Sequence, residues 1–163
     1  MTQEKLNAVL ATALDKAGQD TVRAQHIMQR YALVQAFAAE EDLTAEDVLL
    51  ASAAAVLYDL NDENENPPEG EKEFSPIVIT NYIKEILEDI YLPTFETSVI
   101  GSLVAMQKHG GKIENNLHRL IQDTITIINL MDEGADSAKA KAARDTLTHE
   151  SAKHRLDVLF GLE

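Results

Sequence analysis

The chain has 163 residues, the usual size of one domain and enough to bury a core. Its 28 acidic residues against 14 Lys and Arg give a formal net charge of −14, and such a surface argues against nucleic-acid binding. The absence of Cys excludes disulfides and thiolate metal sites. Neither a signal-peptide pattern nor an apolar run of membrane-spanning length occurs, so we expect a soluble cytoplasmic protein without a membrane partner.

Apolar residues at helical spacing predict three helices before residue 60. Their expected bounds are about 3–16, 20–40 and 45–57. Asp20 is the expected N-cap of the second helix. Thr44 and Asp47 form a capping motif for the third. The third helix is apolar nearly all round, which is typical of a helix at the centre of its domain.

Residues 60–74 form the one clear loop, with Pro67-Pro68, Gly70 and six acids between positions 62 and 73. A mobile segment and a functional lid both fit such a loop, and its role stays open. Ser75-Pro76 then begins a fourth helix, and Pro93 separates it from a fifth, about 96–109. A sixth is expected at about 114–131; its β-branched run, 124–128, lies within a helical apolar period, so no strand is expected.

Two weaker helical segments follow, at about 137–147 and 151–162. They are compatible with a helical hairpin on the body of the protein or with an arm that packs on a second subunit, as in a homodimer. The sequence therefore predicts an all-α fold of about six core helices plus a C-terminal helical hairpin. We expect one domain over 1–163, with its core at about 20–134 and a helical extension at 135–163.

No phosphate-binding glycine loop, dinucleotide fingerprint or nucleophile elbow occurs, so any site is expected to use the five histidines. His26 lies on a largely buried helix and is expected to point inward, either as a hydrogen-bonded core residue or as a ligand. His109 ends the fifth helix, where its charge would favour the C-terminal end of the helix dipole. His118, His149 and His154 have polar neighbours and are expected on a solvated face.

The segment QHIMQRYALVQAFAAEEDLTAEDVLLASAAAVLYDL, residues 25–60, resembles the opening of the HD phosphohydrolase family. In that family a His on one helix is followed by a small-and-apolar helix that ends in His-Asp, and here the pair is Tyr58-Asp59. VIGSLVAMQKHG is similar to a later family segment and aligns His109 with its His. LIQDTITIINLMDEGA resembles the last segment of a small-domain bacterial branch.

This resemblance implies metal-assisted hydrolysis of phosphate esters, with two His and two Asp holding divalent ions such as Mg, Mn, Ni or Zn. It assigns His26, Asp59 and Asp123 as metal ligands, with Tyr58 and His109 in the pocket. A neutral Tyr is a poor ligand near pH 7. The alignment also places Ile125 where the family has its last Asp, and the Lys that often follows His-Asp is absent.

Three functional hypotheses follow. The first is a degenerate HD-family protein that has lost hydrolase activity and keeps the pocket for binding, regulation or assembly, with a small phosphorylated ligand as one candidate. The alternative is an active metal-dependent phosphohydrolase acting on nucleotides or small phosphate esters with rearranged ligands: His26, Asp59, His109 and Asp123. The third, independent of the family, is a helical interaction module.

Overall fold

The computed structural model describes residues 1–60, 76–109 and 115–162, with only the backbone of Pro76 and His109. These residues form eight α-helices and one 3-10 turn: α1 Gln3–Ala17, α2 Thr21–Glu40, α3 Ala45–Leu57, α4 Pro76–Leu87, the turn Glu88–Ile90, α5 Thr94–His109, α6 Asn116–Asp132, α7 Ser137–Arg144 and α8 Glu150–Phe160. No β-strand occurs within the described ranges, and the predicted all-α class is confirmed. The predicted loop 60–74 lies outside the described residues except for Leu60.

Side-chain caps begin α2 and α3 where the sequence predicts them. The carboxylate of Asp20 accepts the backbone N–H of Arg23 at 3.0 Å, and the hydroxyl of Thr44 accepts that of Asp47 at 3.1 Å. Each cap satisfies one of the backbone donors that the first turn of a helix leaves without a partner. The bounds of α3 agree with the prediction.

The centre of the fold is α3, as its apolar sequence predicts. Every residue from Leu50 to Leu57 is buried, and α3 contacts α1, α2, α5 and α6. The run of Ala in α3 lets its neighbours approach closely. Helix α1 lies before the predicted core range, yet Leu6, Val9 and Ala13 on one face of it are also buried in this core.

Helices α4 and α5 pack against each other along much of their length. Gly101 on α5 faces Thr80 on α4, and a Cβ added at Gly101 would lie 3.0 Å from the Thr80 methyl carbon. This separation is tighter than an ordinary contact, so a larger residue at position 101 would require the Thr80 methyl to shift by a few tenths of an ångström.

The C-terminal helices α7 and α8 form the predicted hairpin and pack on the body of the same chain. Leu156 and Ala152 of α8 are fully buried in the common core. The Ser151 hydroxyl donates to the Glu41 carboxylate at 2.7 Å, which joins the start of α8 to the end of α2. None of the described helices combines the length and apolar character needed to cross a membrane.

Candidate functional site

A small cleft of about 180 Å³ lies where α2, the end of α3 and α6 meet. Helix α2 contributes His26 and Arg30, which share a face because they are four residues apart. Tyr58-Asp59 enters directly after α3. One face of α6 completes the lining with Ile125, Ile128, Asn129 and Asp132.

His26 lies at this cleft in an ion-pair position with Asp132. Its Nε2 is 2.7 Å from Oδ2 of Asp132, and the His26 side chain retains 23% exposure. The sequence predicts an inward side chain, and His26 does face the cleft. Its polar partner is Asp132 on α6, which the sequence did not indicate, rather than Asp59.

Arg30 is the least exposed polar residue of the cleft, at 4%. Its Nε donates to the Ala55 carbonyl at 2.6 Å. That carbonyl lies in the last turn of α3, where the helix itself supplies no N–H donor, so Arg30 caps α3 from a neighbouring helix. The Nη2 nitrogen is buried and has no hydrogen-bond partner. Burial lowers the pKa of Arg30, while Asp59 opposes this effect.

Two cationic side chains contact the ring of Tyr58. The Arg30 guanidinium carbon lies 5.5 Å from the ring centroid and the Lys108 Nζ lies 4.8 Å from it, both within range of a cation–π interaction. Burial raises the pKa of the Tyr58 phenol, and the neighbouring Asp59 raises it further, against an opposing effect of Arg30. Tyr58 therefore remains a neutral phenol at physiological pH.

Asp59, the second residue of the Tyr-Asp pair, faces Lys108. The Lys108 Nζ lies 3.9 Å from Oδ1 of Asp59, and both side chains are partly exposed. A partly exposed pair at this separation contributes only modestly to stability. It does place a positive charge beside the carboxylate that the HD resemblance assigns as a metal ligand.

Asp123, the third predicted ligand, does not line the cleft. Its buried carboxylate accepts the backbone N–H groups of Thr148 and His149 at 2.9–3.2 Å and lies 2.9 Å from Nδ1 of His149. The other ring nitrogen of His149 is 2.8 Å from Oδ1 of Asn116. Asp123 thus holds the start of α8, where the N-cap residue His149 makes no side-chain cap of its own.

Among the side chains that the structure describes, no group of three His, Asp or Glu residues could hold a metal ion. His26 and Asp59 share the cleft, but Arg30 and Lys108 place positive charge against it. The backbone of His109 ends α5 one residue after Lys108, and its side chain lies outside the described atoms, so its predicted place in the pocket stays a prediction.

No family model, curated protein or solved structure matches this chain. The HD resemblance therefore stays a prediction.

Sequence reasoning missed three charged residues of the site. Arg30 follows His26 by four residues, about one helical turn, so the two side chains share a face of α2. This spacing could have identified Arg30 from the sequence. Asp132 reaches His26, and Lys108 reaches Asp59, only through tertiary packing, so neither residue gave a local signal. The prediction of a solvated face is wrong for His118 and His149, which are 3% and 6% exposed, whereas His154 is exposed as predicted.

Proposed function

We propose that this chain is an HD-like helical protein that does not hydrolyse phosphate esters and that uses its cleft as a non-catalytic binding site. One observation carries the proposal. The four positions aligned with the family's metal ligands in the resemblance, His26, Tyr58, Asp59 and Ile125, all line the same cleft. They come from α2, the turn after α3, and α6, and are separated by up to 99 positions in the sequence, so local patterning alone does not explain their convergence.

The residue types at these positions argue against hydrolysis. Ile125 has no donor atom, and the Tyr58 phenol stays protonated because burial raises its pKa. The remaining His26 and Asp59 already face Asp132 and Lys108. Metal-assisted hydrolysis needs several ligands at once to bind the ion and lower the pKa of its water. Arg30 and Lys108 add a repulsive field for any divalent cation.

Metal titration and an activity assay test this proposal. Purified full-length protein is titrated with Mn, Ni and Zn by calorimetry and assayed with each metal on nucleotides and a generic phosphate ester. We expect neither stoichiometric binding nor turnover above the background of Asp59→Asn. Metal-dependent turnover that Asp59→Asn abolishes would show the active alternative, a hydrolase with rearranged ligands, to be correct.

A gain-of-binding variant tests the HD-like part of the proposal. Tyr58→His places a second imidazole in the cleft that His26 and Asp59 also line and removes the ring that Arg30 and Lys108 contact. We expect weak Ni or Zn binding to appear, because three donors would then share one site. Tyr31→His, on the same helix as His26 but outside the cleft, is the matched control and should bind no metal. Equal behaviour of the two variants would contradict the HD-like assignment of Tyr58.

A further inference from the structure

A groove of about 250 Å³ runs along the outer side of α5 and shares no lining residue with the cleft. Six residues of α5 line it: Phe95, Ser98, Val99, Ser102, Leu103 and Met106. We propose that this α5 groove is a contact surface between two copies of the chain, with the two α5 helices antiparallel. The proposal concerns a different surface from the cleft and does not depend on the proposed function.

The six residues that line the α5 groove are all uncharged. From Thr97 to Gln107 the sequence has no Asp, Glu, Lys or Arg, although these types make up 26% of the chain. The two residues of these types in α5 face elsewhere, because Glu96 is buried and the Lys108 ammonium lies over the Tyr58 ring in the cleft. A chain with a net charge of −14 repels a second copy, whereas contact through this groove desolvates no charge. The charge distribution therefore favours this face for self-association.

The order of side chains along the α5 groove suits an antiparallel pair. Phe95, Val99, Ser102 and Met106 follow at intervals of four, three and four residues, so they lie along one side of the helix. The largest side chains are at the two ends and the smaller ones are between them. About a two-fold axis, Phe95 would face Met106 of the second copy, and Val99 would face its Ser102. The same patch then serves both copies, as a two-fold dimer requires.

Phe95 supplies a side chain that fits the α5 groove. It is 73% exposed, so its ring gains little from burial within a single chain. An apolar cavity of about 150 Å³ in another protein accommodates benzene, so a groove of about 250 Å³ has room for the phenyl ring of a second copy. By symmetry each copy inserts one ring and receives one. Each ring would lie beside the Met106 thioether, which makes favourable contacts with aromatic rings.

The area of the α5 groove predicts a weak dimer. An aromatic side chain buries roughly 150–250 Å², so the exposed parts of two Phe95 side chains account for about 300 Å². The middle of the groove has small side chains, and the total stays below the roughly 1,200 Å² at which standard stable interfaces begin. We therefore expect a reversible dimer with a dissociation constant in the micromolar range or above.

Sedimentation equilibrium of the full chain over a concentration series, at low and at high NaCl, tests the proposal. We expect a monomer–dimer equilibrium that Phe95→Ala weakens by about tenfold, as the loss of an aromatic anchor does. Val158→Ala shortens another exposed apolar side chain, on α8, and should leave association unchanged. Because the contact is uncharged and the two chains repel each other, association should strengthen as salt screens the repulsion.

Substitutions at the exposed Ser102 test the same contact independently of Phe95. Ser102→Glu places two negative charges near the two-fold axis and should abolish the dimer, whereas Gln122→Glu adds the same charge on α6, outside the groove, and should weaken it little. Because the chain has no Cys, Ser102→Cys introduces a single thiol, and a short bismaleimide should link two copies through it. Gln122→Cys should give no linked dimer.

Three outcomes would overturn the proposal. The first is a monomer at all concentrations up to about 1 mM, which would leave the α5 groove to a different partner. The second is a dimer that Phe95→Ala and Ser102→Glu leave intact, because its contact would lie elsewhere. The third is a dimer that weakens as salt is added, because its contact would then depend on charge.

Discussion

Replacement of Asp123 by Ala is expected to destabilise the protein by about 3 kcal/mol. The change removes the acceptor of two backbone N–H groups and the partner of the His149 ring. Thr148 is exposed, so water can reach its N–H, whereas the two donors of His149 are buried and would lose their partner. Each buried donor left unsatisfied costs about 1–3 kcal/mol, so the two donors of His149 alone account for the expected loss of about 3 kcal/mol.

Urea unfolding followed by circular dichroism measures this effect, with Gln122→Ala as the matched control. Gln122 is the adjacent, exposed residue of α6, and its replacement should change the free energy of unfolding by less than about 0.5 kcal/mol. Thermal unfolding of Asp123→Ala should shift down by about 6–12 °C at this chain length.

The same experiment separates two roles for Asp123. If Asp123 were a metal ligand, the metal-free protein would contain a buried carboxylate without adequate compensation, and Asp123→Ala would stabilise the protein in the presence of a chelator. A loss of less than about 1 kcal/mol, or any gain in stability, would therefore refute the assignment of Asp123 as the residue that holds the start of α8.

Three further predictions concern the packing and the titration of the core. Tyr58→Ala should lower the free energy of unfolding, measured in urea, by about 2–3 kcal/mol, because it removes the ring that both Arg30 and Lys108 contact. Tyr58→Phe keeps the face of the ring and should lower it far less. Similar losses for the two variants would contradict a cation–π role. Gly101→Ala should stabilise the protein by about 1 kcal/mol, through its higher helix propensity, only when Thr80→Ser removes the opposing methyl group. An equal change in the free energy of unfolding with Thr80 and with Ser at position 80 would be inconsistent with the close contact. Burial lowers the pKa of His118 below its usual 6.5, with Arg119 contributing, so the unfolded chain takes up a proton that the folded state resists. Stability should therefore fall as pH drops below about 6.5 and level off below the folded pKa, with a slope of at most about 1.4 kcal/mol per pH unit. In the His118→Gln variant, the loss of stability below about pH 6.5 should disappear. An unchanged pH profile of stability in this variant would contradict the assignment of that loss to His118.

The helices could be predicted because their signals are local. Asp20 and Thr44 begin α2 and α3 as capping residues, and the apolar period carries through the β-branched run of α6. The central place of α3 also follows from sequence, since a helix without a polar face has to be surrounded. The predicted end of the seventh helix at about 147 is three residues beyond Arg144, where α7 ends, because helix ends depend on tertiary contacts that the sequence does not show.

The site was only partly predictable, because it too depends on tertiary contacts that the sequence does not show. His26, Tyr58 and Asp59 share the cleft that the family resemblance indicates. Asp123 belongs to a different hydrogen-bond network because it precedes the cleft residue Ile125 by two positions, and two steps of about 100° place it on nearly the opposite side of α6, toward α8. His149 was predicted to lie on the surface because its sequence neighbours are polar. It is buried through contacts with Asp123 and Asn116, which lie 26 and 33 positions away in the sequence.

The carboxylate of Asp123 also bears on how the chain reaches its folded state during synthesis. Its partners at Thr148 and His149 are made 25 or more residues later, and the contact between Glu41 and Ser151 spans 110 positions. At about 5–20 residues per second on the ribosome, α6 exists for one to several seconds before these partners are synthesised. Until then the apolar face of α6 can pack, but the Asp123 carboxylate remains solvated because its hydrogen-bond donors are not yet present. The last step of folding is therefore expected to be the docking of α8, and a nascent chain stalled before residue 148 should be sensitive to protease at α6.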